Sequence, residues 1–347
     1  MSGPFKEEYW KAAVKEIETL EEMGAWEVVD REEGMNVTDS IWAFKLKRYP
    51  DGVVKKVKAR FCACGNQHKG VDFFETYAPV VQWLMVCLML ILEVLLPLKS
   101  KQGDVIAAFL HADLEENKKV YVEMPLGFQT KGKVLKLKKT LYGLHQSLCA
   151  FWKFLTKAMI GAGMCVSKSD PCLFVSKKVI AVAFVDDILF WLSDMAYINK
   201  LGLKLRAQDL LLEQEDDAAG FLGVKMTRTE EGLLEMKQTG LVDQIIDALG
   251  LDSKLSTNKR TPAEAKLLTC DEDGEPCQCS FSYASVVGMM LYLAGHTRPD
   301  IAYAVNCSAW YMFAPKLVHE VALKRIGRYL KATRDKGLIL NPSGTLK

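Results

Sequence analysis

The residues with the most pointed chemistry are the adjacent acids Asp186 and Asp187, set inside the apolar run 179–190. Two carboxylates in such a run are costly unless a cation or strong hydrogen bonds compensate. On a strand, neighbouring side chains point to opposite faces, whereas at a tight hairpin turn both can reach one region. Taken alone, the pair is equally readable as a turn facing solvent. A third acid, Asp104, follows a glycine and opens a second apolar run, Val105 to Leu110. Asp104 and Asp186 on neighbouring strands could hold hard divalent cations through oxygen ligands. Two such ions about 4 Å apart stabilise both the attacking and the leaving oxygen of a phosphoryl transfer.

Elements must position these acids. Residues 9–23 have the spacing of an amphipathic helix, with Trp10, Val14, Ile17 and Leu20 on one side and Gly24 as a stop. Residues 41–48 alternate, with Trp42, Phe44 and Leu46 opposite Lys45 and Lys47. Tyr49-Pro50-Asp51-Gly52 is a turn signal, and the return strand alternates Lys56, Lys58 and Arg60 with Val57, Ala59 and Phe61. This predicts a hairpin with one basic face, either an ordinary solvated face or a rigid ribbon able to grip phosphates. Further strands are predicted at 120–124, 134–139, 172–176 and 179–190, and helices within 141–162 and 195–212. A second hairpin covers 221–226 and 233–236. Helical spacing dominates the last third, at 241–249, 283–294, 301–313 and 319–332. The fold class is α+β, divided into a helical lead-in at 1–34, a body at 35–228 and a helical region at 229–347.

Composition narrows the class. The 347 residues carry 45 Lys+Arg against 43 Asp+Glu, a net charge of +2, with 50% apolar residues, a globular composition. Charge balance counts against a uniformly basic nucleic-acid protein, although a neutral chain can be basic along one groove. Ten Cys in a chain of this length do not make a secreted disulfide scaffold. The first residues lack an apolar signal core, so free thiols in a reducing compartment are expected. Cys270, Cys277 and Cys279 lack a fourth ligand and the usual spacing, and read as surface thiols. The apolar run 80–98 is long enough to span a membrane, but Glu93 and Pro97 interrupt it, and it reads as a buried core helix. His296 and His319 read as packing or capping residues, and Asp300 as helix-start chemistry.

Asp104-Val105, Ala107-Ala108-Phe109-Leu110, Glu115-Glu116 and Tyr121-Val122-Glu123-Met124-Pro125 occur in that order. Leu135 to Ser147, with Tyr142-Gly143-Leu144-His145-Gln146, and Phe184-Val185-Asp186-Asp187 follow. Together these segments resemble the copia-type LTR retrotransposon reverse transcriptases. Lys58-Ala59-Arg60 and Glu75 to Val81 fit upstream, Phe221-Leu222-Gly223 in the middle, and Tyr283, Gly288, Tyr292-Leu293-Ala294 and Thr297 to Ala302 downstream. The resemblance runs from about Trp26 to Leu340.

That resemblance implies a right-hand polymerase with fingers, an antiparallel palm sheet and a helical thumb and connection. Asp104, Asp186 and Asp187 would hold two Mg²⁺, or Mn²⁺, for transfer of a nucleotide from a dNTP to a primer 3′-hydroxyl. Lys58 and Arg60 would face triphosphate or template. Phe109 would exclude a ribose 2′-hydroxyl, and Tyr142, Gly143 and Gln146 would lie beside the nucleotide. Phe221, Leu222 and Gly223 would grip the primer. Implied partners are an RNA template, a DNA primer, dNTPs, and ribonuclease H and integrase regions of a longer polyprotein, with no membrane. Localisation would be a cytoplasmic virus-like particle or the nucleus, with no targeting signal visible.

The chain departs from that family pattern in one direction. Cys64, Cys87 and Cys149 stand where arginine is usual, Leu148 where proline is usual, and Leu84 and Met85 near expected threonines. Arg→Cys, Thr→Met and Pro→Leu are each single C-to-T changes in DNA. The alternative expectation is therefore a decayed, inactive retrotransposon remnant that keeps the fold and nucleic-acid binding. An unrelated metal-dependent phosphoryl-transfer enzyme is disfavoured by the ordered motifs.

Overall fold

The structure is a computed structural model that describes residues 5–48, 54–65, 76–96, 98–114, 119–215, 221–252, 257–265 and 267–342. The predicted turn at 49–52, Glu75, the pair Glu115-Glu116 and Pro97 lie outside the described residues. The elements in chain order are α1 (Lys6–Glu22), β1 (Trp26–Asp30), β2 (Val37–Thr38), β3 (Ser40–Arg48), β4 (Val54–Ala63), α2 (Trp83–Leu95) and β5 (Lys99–Val105). There follow β6 (Tyr121–Val122), β7 (Lys133–Leu137), α3 (Ser147–Gly161), β8 (Cys165–Val166), β9 (Leu173–Val175), β10 (Val179–Phe184), β11 (Asp187–Leu192), α4 (Ala196–Arg206) and β12 (Leu212–Glu215). The remainder is β13 (Lys225–Arg228), β14 (Leu234–Lys237), α5 (Thr239–Ala248), α6 (Tyr283–His296), α7 (Ala302–Ala309), α8 (Leu317–Ala332) and β15 (Leu338–Leu340).

The chain divides into two compact units, 1–86 with 97–216, and 87–96 with 217–347. In the first, a six-stranded sheet runs β12-β5-β11-β10-β9-β8, all neighbours antiparallel. Apolar residues on one face of its strands, among them Ala181, Ile188 and Phe190, pack against Phe151, Leu155 and Met159 of α3 and Leu201 and Leu205 of α4. A four-stranded sheet β1-β7-β6-β2 and the hairpin β3-β4 complete the unit. The hairpin keeps the predicted alternation: Lys45 stands opposite Lys58 and Lys47 opposite Lys56, while Trp42 stands opposite Phe61.

The second unit is built on α5–α8, whose core joins Val242, Ile245, Val287, Met290, Val305, Leu323 and Ile326. The sheet β13-β14-β15 accompanies it. Glu93 of α2 is buried at 4% exposure, and Arg228 donates to it at 2.7 Å within this unit. That pairing explains how an otherwise apolar helix carries an acid. The expected burial of the 80–98 run holds for Val86, Met89 and Leu90, but Leu84 is 76% exposed. No helix among the described residues is long and apolar enough to cross a membrane.

Three expectations are corrected. The 301–313 helix ends at Ala309. Cys277 and Cys279 are joined by a disulfide rather than being free thiols. Asp300 does more than start a helix: it accepts Nε and Nη2 of the buried Arg298 guanidinium, at 2.9 and 2.8 Å. His319 caps as expected, its Nδ1 accepting the Lys316 amide at 2.8 Å.

Candidate active site

The 179–190 run is two strands, not one. β10 ends at Phe184, β11 begins at Asp187, and Phe184 pairs with Asp187 across a turn made of Val185 and Asp186. Val185 occupies the left-handed region at φ 55°. A β-branched side chain rarely adopts that conformation, and such strain persists only where the surroundings over-determine it. Two features do so here. The Asp186 carbonyl accepts the Val105 amide at 2.8 Å, which ties the turn to β5, and Ile188, Leu189 and Phe190 are buried immediately behind it.

Register then gathers the acids. Asp104 on β5 is the direct cross-strand partner of Asp187 on β11. Directly opposed residues share one face of a sheet, with Cβ atoms about 5 Å apart. Asp186 adjoins Asp187 in the turn, so all three acids lie at one end of the β5-β11-β10 ladder. Glu213 on β12 stands opposite Asp104 from the other side and extends the row. Gln102, two residues before Asp104 and 5% exposed, donates to the Asp187 carboxylate at 3.3 Å. Neither Glu213 nor Gln102 stands out in the sequence, because only the strand register reveals them.

The other residues of the first unit converge from two sides. Three residues after Asp104, Ala107 turns left-handed at φ 51° and starts the short helical turn Ala108–His111, which carries Phe109. The Thr140 hydroxyl donates to the Phe109 carbonyl, fixing that turn to the segment before Tyr142. The Phe109 ring meets the Tyr142 ring edge-on at 4.8 Å and that of Phe151 at 6.0 Å. From the hairpin side, the Ala63 amide donates to the Tyr142 carbonyl at 2.8 Å. The Arg60 guanidinium sits 5.0 Å from the centre of the Tyr142 ring. Burial pushes the Tyr142 hydroxyl up to about 12, with the Asp186 charge adding and Arg60 opposing, so it stays protonated at neutral pH.

Gly143 is required by geometry. Its φ is +90°, and a Cβ there would lie 2.0 Å from the Ala63 carbonyl oxygen. Gln146 precedes α3, and its Oε1 is buried without a hydrogen-bond partner among the described residues. Lys58 lies on the basic face of β4, opposite Lys45.

Phe221, Leu222 and Gly223 belong to the second unit. They form a short helical turn rather than the first residues of a strand, which starts only at Lys225. Leu222 is left-handed at φ 53°, Phe221 is buried, and the Leu222 carbonyl accepts the Tyr292 hydroxyl at 2.7 Å.

The family model described as reverse transcriptase (RNA-dependent DNA polymerase) matches residues 23–265. The retrovirus-related Pol polyprotein from transposon TNT 1-94 of Nicotiana tabacum is 32% identical over 349 residues, 96% of this chain and 26% of that protein. The corresponding polyprotein from transposon RE1 of Arabidopsis thaliana is 32% identical over 352 residues, 98% of this chain and 24% of that protein. The chain thus spans about a quarter of the length of these curated relatives. Among solved structures, a foamy viral protease-reverse transcriptase in complex with double-stranded DNA aligns with a TM-score of 0.49 at 12% identity, covering 97% of this chain and 49% of that one. Asp104, Tyr142, the Asp186-Asp187 turn and Phe221–Gly223 all fall inside the matched span, and the chain belongs to the reverse transcriptase (RNA-dependent DNA polymerase) family, in its copia-type retrotransposon branch.

Proposed function

We propose that this chain catalyses RNA-directed DNA synthesis, joining a dNTP to a primer 3′-hydroxyl on an RNA template, as part of a retrotransposon polyprotein. The observation that carries the reading is the acid row, Asp104 opposite Asp187 with Asp186 in the adjoining turn. All three donors are carboxylates, the hard oxygen set that suits Mg²⁺ or Mn²⁺ rather than a thiol-seeking metal. Bound at these residues, two such ions would supply Lewis-acid activation of the primer hydroxyl and neutralise the departing pyrophosphate.

The chain's own residues do the positioning. Gln102 fixes the rotamer of Asp187. Lys58 and Arg60 offer cations to the triphosphate from β4, and the guanidinium fork of Arg60 can engage two phosphate oxygens. The Phe109 ring, braced by Tyr142, closes the side of the pocket where a ribose 2′-hydroxyl would project. Gly143 and Gln146 border the nucleotide, and Phe221–Gly223 holds the primer strand. Catalysis on this reading is placement plus electrostatics, with no covalent intermediate on the protein. Ribonuclease H and integrase activities would come from other parts of the polyprotein, and the site of action would be a virus-like particle or the nucleus.

A second reading, an inactive remnant, is favoured by one observation. Cys149, where the family pattern has arginine, is buried at 4% exposure one helical turn from the partnerless Gln146 Oε1. An arginine there, as the family resemblance implies, would have offered that buried acceptor a donor. Primer extension on an RNA template with Mg²⁺, run beside a template–primer binding assay, separates the two. Polymerase function predicts both extension and binding; binding without extension identifies the remnant.

A further inference from the structure

We propose that, in the reduced protein, Cys277, Cys279 and Glu320 form a site for a thiophilic divalent cation such as Zn²⁺, and that the Cys277–Cys279 disulfide closes it. The site lies wholly in the second unit and does not depend on the polymerase reading.

Two cysteines two residues apart are too few to hold a metal. The fold supplies a third ligand from 43 residues beyond Cys277. Glu275, Pro276 and Cys277 run antiparallel to Pro315, Lys316 and Leu317. The Leu317 amide donates to the Glu275 carbonyl at 2.9 Å, and the Cys277 amide to the Pro315 carbonyl at 3.0 Å. This lays the cysteines against the first turn of α8, where Glu320 is buried at 6% exposure. The two sulfurs and a carboxylate oxygen lie within 4.8 Å of one another. Thiolate sulfur and carboxylate oxygen are both zinc ligands, and three protein ligands leave a fourth position for water.

The surroundings of Glu320 fit a bound cation. A buried carboxylate is costly unless its oxygens are partnered. Oε1 accepts Lys324 Nζ at 2.6 Å, and Oε2 faces Cys277 Sγ at 3.4 Å. In the disulfide that sulfur carries no hydrogen and offers Oε2 no donor. A thiol offers a weak one, and a metal held by two thiolates offers a cation. Charge closes as well: two thiolates and one carboxylate exceed Zn²⁺ by one negative charge, and the Lys324 ammonium balances it. Lys324 also holds the carboxylate from behind, as outer partners of metal-ligating carboxylates do. Two molecules of a small thiol such as glutathione reduce the S–S bond to two thiols and leave joined as their own disulfide. On Zn²⁺ binding the two protein thiols release their protons to solvent. The disulfide links residues within one segment, whereas the metal ties that segment to α8.

The full chain, reduced with a phosphine and desalted without oxygen, is titrated with Co²⁺ and then Zn²⁺. Cobalt held by oxygen alone lacks the thiolate-to-cobalt charge-transfer band, so the acid row of the first unit is silent. The reduced protein should develop that band to saturation at about one equivalent and lose it when Zn²⁺ is added. Zn²⁺ should also raise its melting temperature. Oxidised protein should do neither. Cys279→Ser should abolish the band, and Glu320→Gln should weaken Zn²⁺ binding by at least about tenfold. Metal-free melts check that each variant is folded, and if Glu320→Gln is not, Cys279→Ser decides. No band in the reduced wild type, an undiminished band in Cys279→Ser, or undiminished Zn²⁺ affinity in folded Glu320→Gln overturns the inference.

Discussion

Arg298 of the second unit is a buried cation, at 2% exposure. Its Nε and Nη2 grip Asp300 at 2.9 and 2.8 Å, while Nη1 and Nη2 reach the Thr333 carbonyl and hydroxyl at 3.0 and 2.7 Å. Tyr329 adds a hydrogen bond to Asp300 at 2.7 Å. One guanidinium thereby ties the start of α7 to the C-terminal end of α8. Arg298→Met removes the fork but keeps much of the buried stem, leaving Asp300 and the Thr333 carbonyl short of donors. Breaking a buried pair by removing one partner costs about 3–5 kcal/mol. Asp300 is 38% exposed and can turn to water, which places the loss near the lower end, about 3 kcal/mol. Local opening of α6–α8 should then be roughly a hundredfold more frequent. Hydrogen exchange resolved by peptide reads this directly, with α3 and β10–β11 of the first unit as the internal reference. Arg298→Lys should recover only part, because an ammonium cannot bridge both partners. There is also a pH signature. Burial raises the Asp300 pKa, but the bonds from Arg298 and Tyr329 bring it below its ordinary 3.8. A depressed carboxylate contributes stability above its unfolded value and loses it as pH falls through the folded one. Wild-type protection of α6–α8 should therefore fall below about pH 4 more steeply than that of the Met variant. Exchange within about threefold of wild type in Arg298→Met, or full rescue by lysine, would refute the reasoning.

Three further outcomes follow from other contacts. Arg228→Ala should destabilise the second unit by about 2 kcal/mol in thermal melts, because Glu93 stays buried without its cation, whereas Glu93→Leu should be neutral or stabilising. Gly143→Ala should abolish primer extension and lower the melting temperature, since its Cβ would lie 2.0 Å from the Ala63 oxygen at a φ of +90°; a wild-type melt and rate would show that this contact relaxes freely. Cys149→Arg should destabilise by about 2 kcal/mol or more in thermal melts, because at 4% exposure the guanidinium would be buried without a counter-ion, and a stabilised variant would identify arginine as the missing partner of Gln146 Oε1.

What could be read from sequence was set by local chemistry. Asp186-Asp187 stood out because carboxylates are expensive in an apolar run, and the basic hairpin because alternation has a period of two. Asp104 joined them only through its flanking apolar residues and the order of motifs. The pieces that depend on register were not legible. Gln102 on Asp187 and Glu213 opposite Asp104 each sit across a strand pair that spacing alone cannot supply. The break between β10 and β11 was hidden because Val185 is a strong strand former held in a turn. Arg298 was hidden for a different reason: its acid lies two residues away, so the pair looked like an ordinary helix start. The Cys277–Cys279 disulfide is not legible either, because two cysteines two residues apart carry no sign of their pairing in sequence.

The central claim is that the acid row formed by Asp104, Asp186 and Asp187 carries nucleotidyl transfer. It is tested most directly by single-turnover primer extension on an RNA template with Mg²⁺, comparing wild type with Asp186→Asn. Asparagine keeps the volume and one oxygen while removing the charge. The account predicts template-directed extension by the wild type, and a loss of at least about a thousandfold in the variant with template–primer affinity unchanged, as expected when catalysis is electrostatic. Extension by Asp186→Asn at the wild-type rate would contradict it.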